Sequence, residues 1–373
     1  MSSGEIVGGV RVLLFFILTS CTCAPKSAPA PVDAGVHYRK VDMHVHTSVP
    51  ALPRLLRLMD ERGIVVAVNL SGGWPGAGLE ESIAGAATAK GRVIVFANPP
   101  LHLLAYDLDP KQLAQELELA HQLGARGVKI FKALGLGYRN ADGSLLAVDD
   151  SRLDALFEKA GELGMPVSIH TGDPIAFWQA PDEKNERFDE LNAHPGWSYF
   201  EKQVPTWEAL FAAYERRVAR HPRTTFIGVH FGNAPELPER VATMLDKYPN
   251  LYVDTAARVP ELGRKPGVVR ELIIRHADRV LFGTDLGVGE APDDLMLGST
   301  GLLPPTHADA DRFFSATWRF FETNDVNFVH PTPIQGRWTI SGLGLPPEVL
   351  RQVYAGNAER LLKLPFGAEQ THR

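Results

Sequence analysis

Val41-Asp42-Met43-His44-Val45-His46 is the first of a series of short apolar runs that decides the fold. Side chains alternate along a strand, so Val41, Met43 and Val45 share one face, and Asp42, His44 and His46 share the other. Seven further runs follow at 64–70, 93–97, 127–132, 166–170, 225–231, 251–255 and 279–285, most of them rich in Val and Ile and bounded by Gly, Pro or Asn. Helical periods separate them. Leu153, Leu156, Phe157, Ala160 and Leu163 recur at three- and four-residue steps, as do Trp207, Leu210, Phe211, Tyr214 and Val218. Leu237, Val241, Met244, Leu245 and Tyr248 do the same, and Asp109-Pro110 opens a helix carrying Leu113, Leu117 and Ala120. Strict alternation of strand and helix predicts a parallel sheet, and eight such units close into a single (β/α)8 TIM barrel, an α/β fold spanning 40–364. The rival doubly wound sheet rarely needs eight units, and no G-x-G-x-x-G follows the first strand.

Three connections exceed the usual length of about 2–6 residues. They are 134–150, 174–205 and 286–309, after strands four, five and eight, on the face where barrels build active sites. They carry Tyr138, Arg139, Phe177, Trp178, Arg187 and Trp197, which serve either as walls for an organic ligand or as packing within a lid.

The 373 residues carry 38 Lys and Arg against 44 Asp and Glu, a net charge of −6. A mildly acidic chain has no evident means of holding polyphosphate, which argues against nucleic acid as a partner. Both cysteines, Cys21 and Cys23, lie near the start. The body therefore has neither disulfides nor thiolate metal sites, and any ion there must be held by His, Asp or Glu. Residues 12–18, Val-Leu-Leu-Phe-Phe-Ile-Leu, are too few to span a bilayer and end in Leu18-Thr19-Ser20-Cys21, the form of a secretory signal. The segment 1–20 resembles a bacterial lipoprotein signal. That resemblance implies a lipidated Cys21 on a Pro-rich tether (21–39), an extracytoplasmic location, and membrane contact through the N-terminal lipid alone. Residues 365–373 are a tail.

Four strands end in side chains suited to chemistry. With Val41, Met43 and Val45 turned to the helices, His44 and His46 point inward at i and i+2 and can grip one ion. Pro166-Val167-Ser168-Ile169-His170 places His170 inward if Val167 and Ile169 face out. Phe226-Ile227-Gly228-Val229-His230 does the same for His230 if Ile227 and Val229 face out, and strand eight ends in Gly283-Thr284-Asp285. Singly, each has an ordinary account: a strand-end His bonds a carbonyl, and a strand-end Asp caps a turn. Together they converge on one face of a closed barrel. Lys129, in Gly127-Val128-Lys129-Ile130, is also inward if Val128 and Ile130 face out.

His44-x-His46, His170, His230 and Asp285, in that order, resemble the metal-dependent amidohydrolase superfamily. The Gly283-Thr284-Asp285 ending and the late helix Glu348-Val349-Leu350…Asn357-Ala358-Glu359-Arg360-Leu361-Leu362 resemble its amidohydrolase-related branch, which includes aminocarboxymuconate-semialdehyde decarboxylase. The resemblance implies His44, His46, His170 and Asp285 as ligands of Zn2+ or another divalent ion, with one ion favoured over two. It implies Asp285 as proton acceptor and His230 as a neutral imidazole serving the nucleophilic water or the substrate carbonyl. Lys129 is either a carboxylated bridge between two ions or an ammonium paired with Asp42, Asp254 or an acidic substrate.

The leading expectation is a metal-dependent hydrolase acting through activated water on a small-molecule ester, lactone or amide. The alternative is non-oxidative decarboxylation of an aromatic or enoic acid, with Lys129, Lys132 or Arg139 receiving the carboxylate. A third reading is a metal-binding surface lipoprotein without catalysis.

Overall fold

The computed structural model describes residues 38–106, 108–291 and 294–365. The proposed signal, Cys21 and nearly all of the tether and tail lie outside the described residues. No described helix is long and apolar enough to cross a membrane.

Eight parallel strands follow one another around the sheet: β1 (Lys40–Thr47), β2 (Ile64–Asn69), β3 (Val93–Ala97), β4 (Gly127–Ile130), β5 (Val167–Ile169), β6 (Phe226–Gly228), β7 (Leu251–Asp254) and β8 (Val280–Leu281). Past β8 the chain swings beside β1. Met43 N–H donates to Phe282 O at 2.9 Å, and Asp285 N–H donates to His44 O at 2.9 Å. β9 (Leu286–Val288) continues that pairing in parallel with β1, and β10 (Leu295–Leu297) folds back on β9. These bonds join last strand to first, so the fold is the expected (β/α)8 barrel. Below this seam Phe282 N–H donates instead to Val353 O, in a single π-turn that joins the late helices Pro347–Arg351 and Asn357–Leu362.

The helices form where the apolar periodicity puts them. Asp109 caps Pro110–Leu123 by accepting from Lys111 N–H, and that helix buries Leu113, Leu117 and Ala120. Trp207–Arg220 buries Trp207, Leu210, Phe211, Tyr214 and Val218, and Pro238–Lys247 buries Val241, Met244 and Leu245. Val128, Ile130, Val167 and Ile169 pack with these helices, as the alternation predicts.

Two face assignments need correction. Val41 and Met43 do not meet the outer helical layer. They pack with Val68, Phe96, Ile227 and Leu281, drawn from strands around the ring, and with Ala355 and Ala358 of the late helix. The cause is a register shift. Between Asp42 and Val45 the first strand advances three residues while β2 advances only two, from Ala67 to Asn69. The extra residue resets the alternation, so Val41 and Met43 serve the inner core while His44 serves the site above it. Ile227 likewise belongs to the inner core, whereas Phe226 faces Phe157, with ring centroids 5.8 Å apart. The strand expected at 225–231 ends at Gly228, because His230 and Phe231 adopt left-handed backbone (φ 54° and 56°). The strand expected at 279–285 ends at Leu281, and Asp285 is left-handed too (φ 62°). Three strained non-glycine positions of this kind beyond strand ends mark a site whose geometry the surrounding fold enforces.

Candidate metal centre

Asp42 fixes the two strands that carry the site. Its Oδ1 accepts from His44 N–H (3.1 Å) and Thr284 N–H (3.0 Å), and its Oδ2 accepts from Thr284 Oγ1 at 2.6 Å. Burial pushes the Asp42 carboxyl up to about 7 despite these bonds. Gly283 allows the close approach, since a Cβ there would stand 3.1 Å from His44 Cβ.

On this frame three donor atoms converge. His44 Nε2 lies 3.3 Å and His46 Nε2 3.4 Å from Asp285 Oδ1. A four-coordinate zinc with bonds of roughly 2.0–2.1 Å holds its ligands about 3.3–3.4 Å apart, so these side chains fit such an ion. The remaining ring nitrogens are engaged. His44 Nδ1 donates to Asp254 Oδ2 at 2.9 Å, which leaves Nε2 as the lone-pair nitrogen, and His46 Nδ1 pairs with Ser71 Oγ at 2.7 Å. Burial, reinforced by the Lys129 charge, keeps His44 below its ordinary pKa, the neutral state that a metal ligand requires. Burial alone would raise the Asp285 carboxyl, but His44, His46 and Lys129 outweigh it and hold it below the usual carboxylate range.

His230 sits beside His44, ring centroids 5.0 Å apart. Its N–H donates to Asp254 Oδ1 (2.8 Å) and its Nδ1 to Ala256 O (2.9 Å), so Nε2 carries the lone pair. Burial first, then the nearby Arg258, drives it well below the ordinary histidine pKa. His170 stands edge-on to His230 at 4.3 Å. It is not drawn into the three-donor group: its Nε2 faces Gly172 O at 3.0 Å and Asp173 Oδ1 at 3.5 Å. Burial lowers its pKa to about 4.

Lys129 is buried, with Nζ 3.4 Å from His44 Nε2, and burial lowers its pKa to about 8. It makes no ion pair with Asp42 or Asp254. Of the other expected cations, Lys132 is bound to Asp173 at 2.6 Å, and Tyr199 Oη donates to the same carboxylate oxygen at 2.7 Å. Arg139 Nη1 donates to Gly143 O within its own loop. Arg187 is buried between Glu190 and Glu261, so it lines no ligand space. Among the loop aromatics, Trp197 stacks on His194 at 4.0 Å, Trp178 meets Tyr199 at 4.5 Å, and Phe177 meets Trp197 at 6.4 Å: this is lid packing.

Asp254 has a larger part than the sequence suggested, because one carboxylate holds both His44 and His230. Its signal is an Asp closing an apolar strand, the same signal that marks Asp285. A cavity of about 1000 Å3 opens at His46, lined by Ser48, Ser71, Ser82, several glycines and Thr300, with Glu81, Glu290 and Asp294 but no Lys or Arg.

A family model described as amidohydrolase matches residues 81–364. His44 and His46 precede that span, and the fold brings them to Asp285 within it. No curated protein matches the chain. Solved structures similar to it include a putative amidohydrolase from Staphylococcus aureus (15% identity, 87% of this chain and 100% of that one, TM-score 0.53). A dihydroorotase from Campylobacter jejuni is similar as well (15% identity, 89% and 85%, TM-score 0.51), as is a 2,6-dihydroxybenzoate decarboxylase complexed with 2,6-dihydroxybenzoate (17% identity, 88% and 100%, TM-score 0.51). At such identities the likeness shows the barrel alone. The family match over most of the barrel, with a His–His–Asp group fit for an ion at its C-terminal face, establishes that the chain belongs to the metal-dependent amidohydrolase family.

Proposed function

We propose that the protein is a hydrolase that cleaves a carboxylic ester, lactone or amide at a single divalent ion, zinc being the best fit. The observation that carries this reading is the convergence of His44 Nε2, His46 Nε2 and Asp285 Oδ1 beside a cavity of substrate size. His170 would complete the proposed ligand set once its side chain turns Nε2 away from Gly172 O. An ion held there supplies Lewis acidity and activates water near neutral pH. Asp285 takes the proton from the attacking water and returns it to the leaving group. Asp254 fixes the His44 tautomer and the His230 backbone, and the free Nε2 of His230 accepts a hydrogen bond from the water. Beside a bound ion Lys129 would give up its proton and act as a neutral amine, since an ammonium 3.4 Å from His44 Nε2 opposes a cation there.

Decarboxylation is the second reading. Two of the cations expected to receive its carboxylate, Lys132 and Arg139, already donate to Asp173 and to Gly143 O. The decisive experiment assays ester, lactone and amide panels with and without chelator. Chelator-sensitive hydrolysis is expected, and His44→Ala and Asp285→Asn each abolish it. Full activity in either variant, or carbon dioxide release from aromatic acids without hydrolysis, overturns the proposal.

The same reading places the barrel outside the cytoplasm, on a lipid attached at Cys21. Support comes from the signal-like sequence alone.

A further inference from the structure

Three arginines are buried among the described residues: Arg187, Arg217 and Arg258. Two have carboxylate partners. Arg187 lies between Glu190 and Glu261, and Arg217 pairs with Asp154 at 2.5 Å while also donating to Val148 O and Asp150 O. Arg258 differs. It is 6% exposed, yet no carboxylate lies within ion-pair distance. Its Nη1 donates to Ala257 O at 2.9 Å, its Nε is sealed without a partner, and its Nη2 has no acceptor among the described residues. A guanidinium offers five N–H donors, and burying one with a single acceptor is costly. Such groups are retained where function requires them.

Its position indicates that function. Arg258 follows β7 by four residues, on the face of the barrel that carries the donors. The carbonyl of Ala256, two residues earlier, holds His230 Nδ1, and the turn between them passes through left-handed Ala257 (φ 55°). Its charge, after burial, helps hold His230 well below the ordinary histidine pKa. The surrounding carboxylates answer other groups: Asp173 holds Lys132 and Tyr199, Glu190 holds Arg187 and Ser299, and Glu236 accepts from Ile175 N–H. The rings run in an arc from His46 through His44 to His230, at 5.3 and 5.0 Å. The large cavity adjoins the His46 end, and the turn that carries Arg258 holds the His230 end through Ala256 O.

We propose that Arg258 receives a carboxylate of the substrate. This rests on the hydrolase reading and narrows it: the ester, lactone or amide is itself an acid. Its carboxylate docks at Arg258 and survives the reaction, while its uncharged portion extends past the donors into the glycine- and serine-lined cavity. A carboxylate matches the guanidinium fork with two parallel hydrogen bonds, and water is already excluded from Nε.

The test uses the metal-loaded full chain and two probes, glutarate and its uncharged diamide, in titration calorimetry. Glutarate is expected to bind the native protein at least tenfold more tightly than glutaramide. Arg258→Gln should abolish that preference, and Arg258→Lys should restore part of it. In turnover assays Arg258→Gln should raise KM at least tenfold more for acid-bearing substrates than for their methyl esters. Equal binding of the two probes by the native chain overturns the proposal, as does glutarate binding that Arg258→Gln leaves unchanged because the carboxylate sits on the ion. If Arg258→Gln does not fold, the native comparison and Arg258→Lys decide. Calorimetry needs no turnover, so Arg258-dependent glutarate binding without hydrolysis would refute the hydrolase reading alone.

Discussion

Asp254 accepts the Nδ1 proton of His44 at 2.9 Å, with both side chains buried. The bond fixes the tautomer that directs Nε2 toward Asp285, and the other oxygen of the same carboxylate holds the backbone of His230. Asp254 therefore couples a proposed ligand to a proposed proton-handling group. Asp254→Asn should weaken metal affinity about 10- to 100-fold, the usual effect of losing a partner that orients a ligating histidine. Competition with a chromophoric chelator measures this, and unchanged affinity would remove Asp254 from the centre.

Lys129 separates one ion from two. As a neutral amine it is dispensable for binding, so Lys129→Ala should retain close to one ion per chain and should not respond to bicarbonate. Elemental analysis of native and variant protein checks this. A native stoichiometry near two, or bicarbonate-dependent loading, would instead make Lys129 a carboxylated bridge.

His330 tests burial away from the centre. Its Nε2 donates to Gly336 O at 3.0 Å, its Nδ1 is buried without a partner, and burial lowers its pKa to about 4. The unfolded chain takes up this proton near pH 6.5, whereas the folded chain resists it until about pH 4. Stability is therefore complete above about 6.5 and falls as the pH drops through that window. The loss amounts to about 2 kcal/mol at pH 5. Urea unfolding at pH 7 and pH 5 should show a decline that His330→Asn reduces by about that amount. An equal decline in the variant would exclude His330 as its source.

Cys21 decides the anchoring. Cells expressing the full chain should incorporate labelled palmitate, and Cys21→Ser should remove the label and release the protein from membranes. Undiminished labelling of that variant would reject lipidation at Cys21.

Much of the barrel was legible because most strands announce themselves as Val- and Ile-rich runs ending in a turn. Convergence of His44, His46 and Asp285 followed from that count of eight. The faces of β1 were not legible. Val41-Asp42-Met43-His44 alternates without a break in the sequence, and the extra residue is visible only against β2. The left-handed turn through His230-Phe231-Gly232-Asn233 was only half legible: Gly232 and Asn233 are residues that signal such a turn, but it begins two positions earlier, at residues that do not. His170 lay at the expected strand end, but side-chain torsion turned its Nε2 to Gly172 O, and no pattern of residue types encodes that choice. Arg258 was passed over because an arginine after a strand reads as surface, and only its burial without a carboxylate sets it apart.

The seam between β8 and β1 carries a consequence for biosynthesis. Asp42 and Thr284 are 242 positions apart, and the acceptor for Phe282 N–H, Val353 O, is made later still. As the chain emerges from the ribosome, His44 and His46 appear almost at once, but the strand that brings Asp285 to them cannot be locked until the late helix has been translated. Nascent chains stalled before that helix would hold both histidines without a seated Asp285, so a site able to capture an ion arises only near the end of translation.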